Sequence, residues 1–328
     1  MSVVTFLKKI VHQNLADPHS RYALKCVGFW LLVLFVGWIY TSQHIFAANF
    51  LAKEGKEFVP ISFFEPDDFS VVAHRLREPI DGNWLVSDTD LFEFRNAPSV
   101  WPLANPIIAA PLYFLFATPH MGYMMGQMPA TVAAFCILYL LFIRLMPNKI
   151  VAVCAAMILI IFPKIGVLFH PHNFEEVRSL IKQFIPWNFF GFGKDMFYSV
   201  WSESVFPSLP FFFGAIYLLY RALEKKTLRS FLIAGAANGF LFYTYMPNGA
   251  YVFATAGVAG VYALVHRDYK LTKYLLAYAG IFGMVTSFFW YNFIQINQLP
   301  YAEEIRRRVG IEISNGFRTT HIYDFVSY

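Results

Sequence analysis

The chain is short of charge. Lys, Arg, Asp and Glu make up 14% of its 328 residues, whereas soluble domains average about 25%. That shortage excludes an ordinary water-facing surface. Cysteine is also scarce, with Cys26, Cys136 and Cys154 each inside an apolar run. A disulfide framework is therefore not expected, and no pair has the spacing of zinc ligands. The net charge of +5 is modest and calls for no nucleic-acid partner. No internal repeat and no low-complexity stretch is visible. The long apolar runs hold almost no ionisable residue apart from Lys164. Transporters and channels keep such groups at membrane depth, so that class is disfavoured.

Hydrophobic and aromatic residues fill the space that charge leaves. There are 37 Phe, 19 Tyr and 7 Trp in a chain that is 57% hydrophobic. A membrane span needs roughly 20 apolar residues. Runs at 26–46, 121–143, 150–169 and 204–220 meet or approach that length. The stretch 230–265 is uncharged and too long for one span. Pro247-Asn248-Gly249 is a turn signal inside it, which predicts spans at 230–246 and 249–265, with 274–296 as the last. The segment 106–119 is apolar but short and bounded by prolines, and reads as an interfacial or re-entrant helix. The first run lacks a cleavage site and reads as a retained anchor rather than a signal peptide. The expected class is an all-α polytopic membrane protein with about seven transmembrane helices and the lipid bilayer as its solvent.

The basic residues give a sidedness. With 1–25 as a cytoplasmic N-terminus, the inner segments 1–25, 144–149, 221–229 and 266–273 hold thirteen Lys and Arg and three acids. The outer segments hold thirteen basic residues over far more chain, together with eighteen acids. Short basic loops inside are what the positive-inside rule expects. The bundle then covers 26–296, with outer loops at 47–120 and 170–203 and an outer C-terminal segment at 297–328. Inner loops this short cannot fold, so chemistry belongs on the outer face. The expected location is the plasma (inner) membrane, with a periplasmic or extracellular active face.

The loop 47–120 is the candidate catalytic loop. It carries Glu65-Pro66-Asp67-Asp68, then Asp81, Asp88, Asp90 and Glu93. Pro66 suits the first turn of a helix over 69–77, and Asp67 and Asp68 near its N-terminus would be electrostatically favoured. Two readings stand side by side. The carboxylates start a solvated helix, or one of them is a general base that takes a proton from an acceptor hydroxyl or shares a metal.

This arrangement resembles the GT-C class of polyprenyl-phosphate-dependent glycosyltransferases. Members have a short cytoplasmic N-terminus, one span, and a long outer loop with an early acidic motif, which Asp67-Asp68 matches in kind and position. The segment from Ala97 through Pro98, Trp101 and Asn105 to Pro106 leads into apolar helices as in that class. Glu203-Ser204-Val205-Phe206-Pro207-Ser208 precedes a span and a basic loop. The run Ala234-Gly235-Ala236-Ala237-Asn238-Gly239 through Tyr243 and Tyr245 to Pro247 is similar to the fifth-span region of bacterial and archaeal members.

The resemblance implies a GT-C-like bundle and inverting transfer of a sugar from a polyprenyl-phosphate donor to an acceptor on the outer face. It implies Asp67 or Asp68 as the base. It departs from the class in having fewer spans, no further outer domain, and Glu203-Ser204 where relatives are often basic. Those departures lead to the expectation of a truncated or partial member.

A leaving phosphate needs positive charge or a metal. Arg306, Arg307 and Arg308 follow the last span and are candidates to hold it. They also make i,i+4 pairs with Glu303 and Glu304 on an exposed helix. Arg178, Lys182, Lys194 and Lys164 are alternatives. Glu203 is a candidate second acid or metal ligand, or a cap. Asp88 and Asp90 form a D-x-D that can take a divalent cation, Mg or Mn, with phosphate, or a turn. His170 and His172 lack further zinc ligands. Trp84, Trp187 and Trp201 suit sugar stacking or interfacial anchoring. The competing functional readings are a non-catalytic membrane subunit with a protein partner, an enzyme remnant, and a transporter.

Overall fold

The computed structural model describes residues 26–38, 49, 51–56, 78–85, 98–99, 104–115, 119–166 and 208–302. Among the described residues every regular element is helical. The helices are α1 (Cys26–Trp38), α2 (Ala104–Leu115), α3 (Pro119–Leu145), α4 (Lys149–Gly166), α5 (Ser208–Lys225), α6 (Leu228–Leu241), α7 (Met246–Val265) and α8 (Tyr269–Asn297). Three are long and apolar enough to cross a membrane: α3 over Met125–Leu145, α7 and α8. At 1.5 Å per residue the 20 residues of α7 rise about 30 Å, the thickness of a hydrocarbon core. Apolar side chains on α7 and α8 point away from the bundle, with Val258 71% and Met284 70% exposed. Such faces suit lipid rather than water.

The connections between helices are built from local polar chemistry. Thr227 caps α6, its Oγ1 accepting from the Ser230 N–H at 3.4 Å. Asp268 caps α8, accepting from the Leu271 N–H at 3.0 Å. Each satisfies a backbone donor that a helix start leaves orphaned. Lys226 and Arg267 adopt φ of 48° and 54°, the left-handed region in which glycine is usual just past a helix. For a residue with a Cβ that conformation costs about 1–2 kcal/mol.

Those short connections gather at one end. Arg144, in the last turn of α3, lies 3.4 Å from the Glu224 carboxylate near the end of α5, which also accepts from Arg221 at 2.7 Å. Lys226, between α5 and α6, lies 3.5 Å from Asp268, between α7 and α8. We call this the basic end. The N-terminal part of α1 faces it as well. Phe29 packs on Tyr139 at 5.0 Å, while Gly37 lies against Met128 and Val132, earlier in α3. Setting α2 aside, consecutive helices therefore alternate in direction.

Two apolar clusters share α5. One joins α1, α3, α4 and α5 through Val33, Val36, Phe135, Ile160 and Phe213. The other joins α5 to α8 through Leu219, Phe231, Leu241, Val252 and Tyr278. Phe212 and Ile216 of α5 pack against both.

Helices α6 and α8 approach each other closely. A Cβ on Gly235 would sit 2.5 Å from the Tyr278 carbonyl oxygen and against Ile281, and one on Gly239 would sit 2.8 Å from Val285 Cβ. Gly235 and Gly239 form the small-xxx-small spacing that lets membrane helices touch backbone to backbone. The rising pairs 235 with 278 and 239 with 285 make the two helices parallel. Past the level of Leu241, α8 continues for roughly 16 Å.

The structure moves two expected boundaries. The break in 230–265 falls at 242–245 rather than at Pro247-Asn248-Gly249. Proline lacks an N–H and its φ is preset for a helix start, so Pro247 opens α7 instead of interrupting the chain. Of the expected span 204–220, residues 208–220 are helical and the helix runs on to Lys225, while 204–207 lie outside the described residues. Pairing of Glu224 with two arginines lets that helix continue past its apolar part. The expected short helix at 106–119 is present as α2, starting two residues earlier and ending before Pro119 opens α3.

Candidate functional site

A buried polar hub lies inside the bundle, about 15 Å along α6 from the basic loops. Its floor is Asn238 on α6, fully buried between α7 and α8. An amide has two donor hydrogens and an acceptor oxygen, and its orientation follows from its neighbours. With the Asn238 oxygen toward α8 it accepts from the Tyr278 hydroxyl at 2.7 Å and the Phe253 N–H at 3.2 Å. Its nitrogen then donates to the Gly249 carbonyl at 3.0 Å. Gly249 and Phe253 stand four residues apart on α7, so one side chain addresses a carbonyl and an amide one helical turn apart. In a low-dielectric interior these bonds tie α6, α7 and α8 together, and leaving one unmade is costly.

Above Asn238 the chain leaves helix at 242–245. Non-helical backbone at membrane depth is tolerated where protein satisfies it. The N-terminus of α2 does so. The Ala104 N–H donates to the Tyr243 carbonyl at 2.8 Å, and Asn105 Nδ2 donates to the Thr244 carbonyl at 2.9 Å. The Tyr243 hydroxyl donates to the Val285 carbonyl on α8 at 2.6 Å. Rings pack beside the turn, with Phe242 edge-on to Phe282 and to Phe289, each at 5.3 Å. Phe253 stacks on Phe282 at 4.3 Å.

Among the described residues, Asn105 Oδ1, Gln127 Oε1 and Asn248 Nδ2 are buried without a hydrogen-bond partner. The α7 N-terminus, to which Asn248 belongs, has no side-chain cap. Among the described residues the hub offers amides and hydroxyls, and no carboxylate or cation joins it. A transferred proton would need a base from another segment.

The residues singled out in the sequence as catalytic or phosphate-binding, Asp67, Asp68, Glu203, Asp88, Asp90, Arg306, Arg307 and Arg308, lie outside the described residues, as do Arg178, Lys182, Lys194, His170, His172, Trp187 and Trp201. Trp84 is described and 58% exposed. Nearby, Asn83 Nδ2 donates to the Glu78 carboxylate at 2.7 Å across a turn with Gly82 at φ 92°. Among the described residues no three His, Cys, Asp or Glu converge to hold a metal.

The structure does join two of the sequence segments that carried the family resemblance. The segment ending at Asn105-Pro106 docks on the run 234–247 through the bonds to Tyr243 and Thr244, across a separation of 139 residues. No family model, curated protein or solved structure matches the chain. Sequence reasoning missed the bridging role of Asn238 and the approach of Gly235 and Gly239 to α8. The four-residue glycine spacing was the signal for the second. For the first, an Asn inside an otherwise apolar helix was the only signal.

Proposed function

We propose that this chain is a membrane glycosyltransferase of the GT-C kind, moving a sugar from a polyprenyl-phosphate donor to an acceptor hydroxyl at the membrane surface. The observation that carries the reading is the docking of α2 on the 242–245 turn. The two segments that resemble the class are built into one polar hub inside the bundle. The alternating helix directions support a seven-span topology with the basic end on the cytoplasmic side, as the positive-inside rule expects. The long acidic loop 47–120 then lies on the side away from the basic loops.

In the proposed reaction, Asp67 or Asp68 takes the proton of the acceptor hydroxyl. The acceptor oxygen forms a bond to the anomeric carbon as the bond from that carbon to the phosphate oxygen breaks, with inversion. The phosphate leaves with the bonding pair, and Arg306, Arg307 and Arg308 are the candidates to stabilise it. Asn105 and Asn248 supply unpartnered hydrogen-bonding atoms of the kind that orient sugar hydroxyls.

The test is transfer from a panel of polyprenyl-phosphate sugars by full-length protein in proteoliposomes, with Asp67→Asn and Asp68→Asn variants. General-base catalysis contributes typically 10²–10⁴-fold. One variant should lose on the order of a hundredfold or more in rate while inserting normally. Undiminished transfer by both variants refutes the mechanism. Absence of transfer by the wild type with every donor, until a second subunit is added, assigns the chain to a non-catalytic role.

A further inference from the structure

The basic end of the bundle carries more positive charge than its own acids use. Its described loops and helix ends hold nine Lys and Arg and two acids, Glu224 and Asp268. Both acids are already engaged, Glu224 by Arg144 and Arg221, and Asp268 by Lys226 and the Leu271 N–H. Lys149, Lys225, Arg229, Arg267, Lys270 and Lys273 are exposed and have no carboxylate partner among the described residues. The ion pairs Arg144–Glu224 and Lys226–Asp268 hold the connecting segments in one layer.

Two further observations say what the layer faces. Exposed apolar side chains border it directly, with Leu228 49%, Val265 72% and Tyr269 69% exposed. Cations above and aliphatic and aromatic groups below match a phospholipid at the headgroup boundary, whereas a soluble anion would use only the charges. Second, both turns put a cation where the backbone favours glycine, Lys226 at φ 48° and Arg267 at φ 54°. Such conformations persist only where the surroundings fix them, and they cluster at functional positions; Lys226 is already paired with Asp268, whereas Arg267 has no carboxylate partner among the described residues.

We propose that the basic end is a docking surface for anionic phospholipid headgroups, with Arg267 projecting from its left-handed turn beside the exposed Lys149, Lys225, Arg229, Lys270 and Lys273. The proposal rests on α3, α7 and α8 being spans, and is independent of the transferase reading. The cations bind the phosphate of the headgroup by charge, and the flanking apolar residues take the upper acyl chain.

The experiment places the full chain in phosphatidylcholine nanodiscs with increasing phosphatidylglycerol and measures the lipid retained per protein. The variants are Lys225→Gln with Arg267→Gly, and separately Lys149→Gln with Lys270→Gln. Wild type should retain phosphatidylglycerol over phosphatidylcholine, less so as salt rises. Each double variant should lower that preference by at least about fivefold, given what one surface cation contributes. Arg267→Gly alone should leave the thermal midpoint in pure phosphatidylcholine unchanged or higher, because it relieves a left-handed turn. The proposal is overturned if wild type shows no preference for the anionic lipid. It is also overturned if both variants keep the wild-type preference, which would leave the cations as signals for orientation alone.

Discussion

Replacing Gly235 with Ala should destabilise the protein, and the same change at Gly280 should not. Both glycines lie inside helices, where Ala is intrinsically favoured by about 0.8–1 kcal/mol. Propensity alone therefore predicts a gain at each. The structure separates them. A Cβ at Gly280 meets nothing within 4 Å. A Cβ at Gly235 falls 2.5 Å from the Tyr278 carbonyl oxygen and against Ile281. An ordinary contact needs roughly 1 Å more, and a backbone oxygen cannot rotate away. The two helices must part, and overpacking of this kind costs typically about 1–3 kcal/mol. The net expectation is a loss of roughly 1–2 kcal/mol for Gly235→Ala and a gain of up to about 1 kcal/mol for Gly280→Ala. Gly239 adds an internal control, because its nearest neighbours are the side-chain atoms of Val285 at 2.8 and 2.9 Å. Val285→Ala removes Cγ1 but keeps Cβ, and Ile281→Ala removes Cγ2 but leaves the Tyr278 carbonyl, so each should rescue its glycine substitution only in small part. The assay is the thermal midpoint of purified full-length protein in detergent, followed by tryptophan fluorescence. Equal shifts for Gly235→Ala and Gly280→Ala would refute the proposed α6–α8 approach.

Two further outcomes follow from named contacts. Asn238→Leu removes the acceptor of the Tyr278 hydroxyl and leaves it buried and unpaired, which costs on the order of 2–3 kcal/mol. Adding Tyr278→Phe should recover part of that, and strictly additive effects on the thermal midpoint would disprove the pairing. The Leu271 N–H, helped by Lys226, holds the Asp268 carboxyl below the usual aspartate range. A lowered folded pKa means that the charge stabilises above the unfolded value and that this contribution is lost as pH falls through the folded one. Asp268→Asn keeps a capping side chain and removes the charge. Its thermal midpoint should lie below wild type at neutral pH and converge with it in strong acid, and a pH-independent difference would contradict this assignment.

Much of the helical layout was legible in the chain, because apolar length and the placement of Lys and Arg are local quantities. The run 121–143 reappears inside α3, and 249–265 and 274–296 lie within α7 and α8. Arg144, Lys226 and Asp268, from three of the short basic segments, gather at one end of the bundle. The hairpin break was misplaced by a few residues because Pro247 has two meanings, a stop and a start. Composition cannot choose between them. The backbone bonds of Phe242 to Gly239 and of Tyr245 to Leu241 end α6 first.

The candidate site was legible only in outline. Asn105 and Thr244 each stand in segments that drew attention, but nothing local to either says that they meet. Asn238 is one polar residue in an apolar helix. Whether it faces Tyr278 or lipid depends on how α6 is rotated against α8, and the glycines at 235 and 239 set that rotation by allowing contact on one face.

By itself, the sequence determined that this is a helical chain with segments suited to a bilayer, and which of its ends is basic. Those properties are sums over consecutive residues, the transfer free energy of a run and the charge of a loop. The tertiary structure alone decided that α6 closes on α8, that the start of α2 seals the 242–245 turn, and that Lys226 and Arg267 occupy left-handed turns. These depend on which surfaces fit together, and fit between segments more than a hundred residues apart is not a sum over neighbours.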